Sequence, residues 1–376
     1  MGSSQAPGNI HHPAVWLWAA LAVIAVLIAA GCSAPGTGKS GGAPAAAPHG
    51  TITLTFASAD VLPVDTTFAN LVSQDSGGHL KLRPVYYNGR SPSADETIAA
   101  ALQKGKLAVA DVGSRAWESL GVPAFSAYQE PFLVTSRELL DKVVTGSVAA
   151  GMLAALKPVG ITGLAIAPLS IRYLFSTRPL MTLAQFSGAK IRINTSVTTS
   201  EVIHDLGATP VTSVETGPQE IRALRDGALT AVEYDPERAD GGFVPVAPYV
   251  VVNAPLFAKT TTFAANSAQL ARLPARDATW LRQAAQQAAA TEATSATDRA
   301  AWASLCAQGL KPLALTQQQF AALHAARSVA LVASVAAARW AAWRSQATSR
   351  AGSLASSTEL AANVVVLANN GALTTT

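Results

Sequence analysis

Few side chains in this sequence of 376 residues stand in an arrangement that catalysis could use. Asp75-Ser76-Gly77-Gly78 echoes the nucleophile segment of serine proteases, but Gln74 and His79 replace the Gly and Pro that flank it there. A serine of that kind needs a histidine base. Upstream there are only His11, His12 and His49, which lie in a leader and a tether described below. The segment therefore reads as a turn. Gly38-Lys39-Ser40 suggests a phosphate loop, yet Ser33 occupies the position of its first glycine and no strand precedes it. The six histidines form no ligand-spaced pair, so neither a metal nor a cofactor is expected. Cys306, in the helical stretch Ala300 to Ala307, reads as a small buried hydrophobe. Asp111 falls inside a short apolar strand, where an unpaired carboxylate is costly. It must face either a cationic ligand group or a neighbouring arginine, with the arginine the expected partner.

The rest of the composition is bland. Charged residues make up 13% and hydrophobic ones 49% of the chain, with a formal net charge of +4. That is too apolar for disorder, and the basic residues are too scattered for nucleic acid binding. A mean hydropathy of +0.27 raises the question of membrane spans. Ala14 to Gly31 is a run of eighteen apolar or small residues, at the border between a signal h-region and a spanning helix. It ends in Ala29-Ala30-Gly31-Cys32, which resembles a bacterial lipobox with Ala29 where leucine is usual. The reading is a lipoprotein signal over 1–31 with Cys32 lipidated; the alternative is an uncleaved signal anchor. Either way the chain beyond lies outside the cytoplasmic membrane. Residues 32–50 are rich in Pro, Gly and Ala and form a flexible tether.

The folded part alternates strands with helices. Thr51 to Ala57 is a strand, Thr66 to Gln74 a helix closed by Ser76-Gly77-Gly78, and Leu80 to Tyr87 a second strand. Ala94 to Lys104 is a helix and Ala108 to Val112 a short buried strand. This βαβαβ order predicts a mostly parallel sheet covered by helices, an α/β fold. Ile161 to Ala167, Ala189 to Ile193 and Thr230 to Glu233 follow as strands, with a helix from Thr199 to Leu206 capped by Gly207. Val250 to Val252 and Thr260 to Ala264 are expected to cross between domains. After Asn266 the chain is almost wholly helical. Thr316 and Gln319 form a capping box, and Leu315 against Phe320 a hydrophobic staple, on a helix expected to run to about Trp343.

Taken in order, several of these segments resemble the solute-binding proteins of tripartite ATP-independent periplasmic (TRAP) transporters, the DctP family. Ser76-Gly77-Gly78, the strand after it and Asn88-Gly89 are similar to that family's entry segment. Leu102 to Gly105 and Pro131-Phe132-Leu133 follow the same pattern. The strongest match is Thr182 to Arg192 (TLAQFSGAKIR), then Leu206 to Pro210 and Ala223 to Gly227. The resemblance spans roughly Ile52 to Gly309. It implies two α/β lobes around a hinged cleft, the type II-like periplasmic-binding-protein fold. Lobe 1 would be 51–163, lobe 2 164–257, and 258–376 hinge-crossing strands and long C-terminal helices.

The resemblance also implies the site. Arg192 ends a strand in the cleft and binds the ligand carboxylate. A guanidinium offers such a group a planar fork, and Asn194 to Thr199 lead into a helix whose N–H groups favour an anion. Arg172 resembles the family's second basic residue, as ligand contact or as structural ion-pair partner. Glu233 is kept, while Tyr234 stands where the family has a ligand-binding asparagine, facing either the cleft or the lobe interior. Asn194 and Asp111 complete the candidate set. These departures place simple C4-dicarboxylate ligands in doubt. The implied function is capture of a small organic acid by cleft closure and its delivery to a TRAP-type membrane permease, from a lipid anchor on the outer face of the cytoplasmic membrane. The implied chain is not an enzyme. The alternatives are a sensor or scaffold lipoprotein of the same fold and, less expected, an anchored hydrolase.

Overall fold

The computed structural model describes residues 50–239, 242–295 and 299–326. The leader, Cys32, nearly all of the tether and the expected continuation of the last helix toward Trp343 lie outside them. Ten strands are present among the described residues: β1 (Ile52–Ser58), β2 (Leu80–Tyr86), β3 (Val109–Gly113), β4 (Ile161–Ser176), β5 (Lys190–Arg192), β6 (Thr209–Val211), β7 (Ala231–Tyr234), β8 (Tyr249–Val251), β9 (Phe257–Asn266) and β10 (Lys311–Leu313).

Each lobe is built as its local sequence dictates. In lobe 1, β1 pairs in parallel with β2 and β3, and helices Pro63–Asp75 and Ala94–Gln103 make the crossovers. The first helix starts at Pro63, three residues earlier than its pattern suggested, because a proline at the first helical position has no N–H to lose. It buries Val64, Phe68 and Val72 on one face. Phe68 meets Phe56 of β1 edge-on at 5.4 Å and Phe263 of β9 at 4.6 Å between ring centres. In lobe 2, β5 pairs in parallel with β6 and β7, with helices Val197–Asp205 and Pro218–Arg225 between them.

The middle of the sheet is antiparallel, which the repeated strand–helix order does not predict. The strand order is β2-β1-β3-β9-β4-β7-β5-β6, with β9 antiparallel to β3 and β4, and β4 antiparallel to β7. Two strands therefore tie the lobes together. One is β9, as expected from Thr260 to Ala264. The other is β4, which runs on past Ala167 to Ser176 through Pro168. A proline has no N–H for the ladder, and the register with β9 shifts between Pro168 and Ser170 to accommodate it. The expected crossing by Val250 to Val252 does not occur: β8 pairs with Phe175 and Ser176 of β4 and with β10, within lobe 2.

The 21-residue helix Ala275–Ser295 packs on lobe 1 through Leu281 and through Ala278, Ala284, Ala285 and Ala288, whose small side chains let it lie close against Phe68 and Val72. Helix Gln317–Ala325 starts at the Thr316–Gln319 capping box and buries Leu323 beside Leu315 and Phe320 in the lobe 2 core. Cys306 is exposed, contrary to expectation. In helix Arg299–Ala307 the inward position is Leu305, and the next residue turns about 100° away from it.

Candidate functional site

The candidate residues converge where the parallel strands of the two lobes point their carboxyl ends at each other. A cavity of about 50 Å³ lies there. Lobe 1 contributes Asp60 after β1, Asp95 from helix Ala94–Gln103 and Arg115 just after β3. Lobe 2 contributes Arg172 from β4, Arg192 from β5, Asn194, Thr216, Tyr234 from β7 and Arg238, and β9 contributes Lys259.

Arg192 is 1% exposed. Its Nε donates to the carbonyl of Val214 at 3.1 Å and its Nη2 to Thr216 Oγ1 at 2.8 Å. Glu220, wholly buried, sets its Oε1 3.1 Å from the same Nε, while its Oε2 accepts the Gly217 N–H at 2.7 Å. Burial pushes the Glu220 carboxyl up from its ordinary value, and Arg192 opposes the push. Burial likewise lowers the Arg192 guanidinium, against the pull of Glu220. A guanidinium stays charged through any such shift.

Arg172 is held by two carboxylates. Its Nε lies 2.6 Å from Glu233 Oε1, and its Nη1 donates to Asp235 Oδ2 at 2.6 Å. The guanidinium carbon sits 5.7 Å over the ring of Tyr234. Tyr234 lines the cavity, with its ring packed 4.4 Å from that of Phe243. It gives the cavity an aromatic wall. Burial raises its phenol above the usual value, keeping it a neutral donor.

On the lobe 1 side, Arg115 donates to Asp95 Oδ2 at 2.7 Å, and the Gly113 N–H donates to Asp95 Oδ1 at 3.0 Å. A Cβ at position 113 would lie 2.7 Å from both Arg115 Nη1 and Asp95 Oδ2, so a larger residue there would displace the pair. Burial works against the Asp95 charge, but Arg115 and the Gly113 N–H outweigh it and hold the carboxyl below its ordinary value.

The lobes are bonded to each other across the cleft. The Thr195 and Thr216 N–H groups donate to the carbonyls of Pro92 and Arg90 at 3.0 and 2.9 Å. Arg238 of lobe 2 meets Asp60 of lobe 1 at 3.2 Å. Glu118 of lobe 1 accepts from Ser196 Oγ, from Thr198 Oγ1 at 2.8 Å and from Thr198 N–H at 3.3 Å. The N-terminus of helix Val197–Asp205, expected to attract a ligand anion, is thus occupied by the protein's own carboxylate. Ser196 caps the same turn through the Thr199 N–H at 3.0 Å.

Arg192, Arg172, Asn194 and Tyr234 of the candidate set line the cavity. Glu233 lies behind Arg172 and does not line it, accepting instead from the Asn194 N–H at 3.4 Å. Asp111 is also absent from the wall. It is buried in β3, with neither a ligand group nor an arginine against it; it accepts from Thr261 Oγ1 and faces Asp65. Asp60, Asp95, Arg115, Arg238 and Lys259 were missed. One signal could have found some of them, since ligands in open α/β sheets bind beyond the carboxyl ends of the strands, and Asp60 and Arg115 follow β1 and β3 there. No group of three or more His, Cys, Asp or Glu placed to hold a metal ion occurs among the described residues.

Known proteins share the fold and the family pattern. The family model described as bacterial extracellular solute-binding protein, family 7 (DctP) matches residues 61–335. The C4-dicarboxylate-binding periplasmic protein DctP of Rhodobacter capsulatus is 28% identical over 169 residues, 45% of this chain and 50% of that protein, so the chain spans about half the length of the curated relative it matches. The fold is that of a TRAP periplasmic solute-binding protein from Ralstonia eutropha H16 with bound (S)-2-acetolactate, at a TM-score of 0.64 and 20% identity over 76% of this chain and 98% of that one. It is similarly close to a TRAP periplasmic solute-binding protein from Roseobacter denitrificans with bound β-D-glucuronate, at TM-score 0.65 and 19% identity over 76% and 94% of the two chains. The sugar acid binding protein DctPAm of Advenella mimigardefordensis, in complex with galactonate, gives 0.64 and 21% over 78% and 99%.

Proposed function

Because this chain belongs to the bacterial extracellular solute-binding proteins of family 7, we propose that it captures a small organic acid in the cavity between its lobes and hands it to the membrane subunits of a TRAP-type transporter. The observation that carries this reading is Arg192. It is a permanently charged fork, almost fully withdrawn from water, at the wall of a cavity that both lobes close. A carboxylate is the group whose geometry matches a guanidinium. Solved relatives hold acetolactate, glucuronate and galactonate, and an acid of that kind is the ligand class assigned here.

Closure follows from the same contacts. Groups from both lobes meet the ligand only when the lobes approach, so binding shifts the population toward the closed form. The lipobox-like Ala29 to Cys32 after the apolar leader supports a lipid anchor on the outer face of the cytoplasmic membrane, with residues 33–50 as the tether.

Thermal denaturation of the protein against a panel of organic acids tests the reading. A ligand at about 100 times its Kd adds about 2.7 kcal/mol of stability. Arg192→Lys, which keeps the charge but loses the fork, weakens that ligand by about tenfold or more, equivalent to about 1.4 kcal/mol. If no acid stabilises the protein, or Arg192→Lys binds the acid as tightly as the parent does, the reading is wrong.

A further inference from the structure

Resting on the ligand class just assigned, we propose that Lys259 is a specificity-determining contact of this cleft, taking the ligand's carboxylate together with Arg192 and making the site one for monocarboxylates.

The argument is a charge account of the cavity wall. Four of its cations already have partners built into the protein: Arg115 with Asp95, Arg238 with Asp60, Arg192 with Glu220, and Arg172 with both Glu233 and Asp235. Lys259 lines the same cavity from β9 and has neither an ion pair nor a hydrogen bond among the described residues. The flanking Ala258 and Thr260 are buried in the sheet, so the ammonium stands on the strand that joins the lobes. It is the one cavity cation, among the described residues, without a contacting carboxylate.

Counted as formal charges, these five cations and the five carboxylates that contact four of them sum to zero. One carboxylate entering beside Lys259 leaves a single negative charge. A dicarboxylate leaves two, in a space from which closure has removed most of the water that would screen them. The fifth carboxylate, the second one on Arg172, is what balances Lys259. The discrimination is thus a property of the whole set, with Lys259 as its ligand-facing member.

The protonation of Lys259 fits this role. Burial lowers its amine to about 8, helped by Arg172 of β4 and Arg238 beyond β7, and opposed by Asp235 after β7 and Asp60 after β1. An anion docked on the amine restores what burial removes, so binding and protonation are linked. Affinity is full below about pH 8 and falls as the amine loses its proton above it.

Isothermal titration of the intact protein, with galactonate, glucuronate and orotate as monocarboxylates and succinate and malate as dicarboxylates, decides the matter. The expected results are binding of a monocarboxylate at least tenfold tighter than either dicarboxylate and a loss of tenfold or more in Lys259→Met. Between pH 7.5 and 9 the parent should lose close to tenfold, about one proton per ligand, and Lys259→Arg should bind with no such loss. Binding of an acid that Arg192→Lys weakens but Lys259→Met leaves within twofold overturns the proposal alone, as does tighter binding of a dicarboxylate. Binding of none of the five acids overturns the ligand class as well.

Discussion

Asp65, in helix Pro63–Asp75, and Asp111, in β3, are buried with no guanidinium against them, whereas Glu220, Glu233 and Asp235, equally buried, each touch an arginine. The two groups lie in one molecule and differ in their nearest partner. In lobe 1, burial pushes Asp65 up to about 6, and burial together with the neighbouring Asp65 drives Asp111 well above the ordinary carboxyl range. Burial and mutual repulsion thus favour a proton held on the pair. In the cleft each of the three carboxylates has an arginine nitrogen within 3.1 Å, and these pairs make it possible to bury Arg172 and Arg192 at the cavity wall. A buried acid is therefore a structural hydrogen bond in one place and part of an electrostatic device in the other. The nearest cation decides which.

The largest effect that separates the two regions comes from removing a cation. Arg172→Met leaves Glu233 and Asp235 buried without a partner, and a loss of about 3–5 kcal/mol is expected in urea denaturation at pH 7. A loss under about 1 kcal/mol would mean that the cleft carboxylates do not depend on their arginine. The opposite sign is expected in lobe 1. Because the folded pKa values of Asp65 and Asp111 are raised, their contribution is fully present below about pH 4 and is lost as pH rises, through about 6 for Asp65 and on the same alkaline side for Asp111. Asp111→Asn can still accept from Thr261 and requires no charge. It should stabilise the protein by roughly 2 kcal/mol at pH 8 and by almost nothing at pH 4. Equal effects at the two pH values would remove the proton-sharing account.

The smallest of these effects concerns the clasp across the cleft. Glu118→Gln retains an acceptor for Ser196 and Thr198 but removes the charge from the helix N-terminus, an interaction worth about 1 kcal/mol. That cost falls on the closed form alone. The expectation is a ligand affinity about fivefold weaker and an unchanged unfolding midpoint without ligand, compared by titration and by urea denaturation. An unaltered affinity would show that the clasp contributes nothing to closure.

Much of the architecture was legible residue by residue. The alternation in Ile52–Ser58, Pro63 at a helix start, the glycines with positive φ at 77, 78, 105 and 207, and the Thr316–Gln319 capping box all act within a few residues of chain. The antiparallel centre of the sheet was not, because β4 and β9 are about ninety residues apart and nothing local records which strand will pair with which. Arg192 was legible from its motif, and its neighbour Tyr234 from a departure at one position. Glu220 and Lys259 were not, since a single Glu in a helix and a single Lys in a strand carry no spacing signal.

The sequence by itself determined the class of fold, the expectation of an anion-binding arginine at position 192 and the expectation of a buried acid at Asp111. Short-range sterics, capping and hydrophobic alternation are properties of adjacent residues. Only the tertiary structure decided that Asp111 would face Asp65 instead of an arginine, that Glu118 would fill the helix N-terminus expected to attract a ligand anion, and that Lys259 would be left without a partner. Those outcomes depend on which charges meet in a low-dielectric interior. Coulombic and desolvation energies there are set by distances of 3–4 Å between groups far apart in the chain.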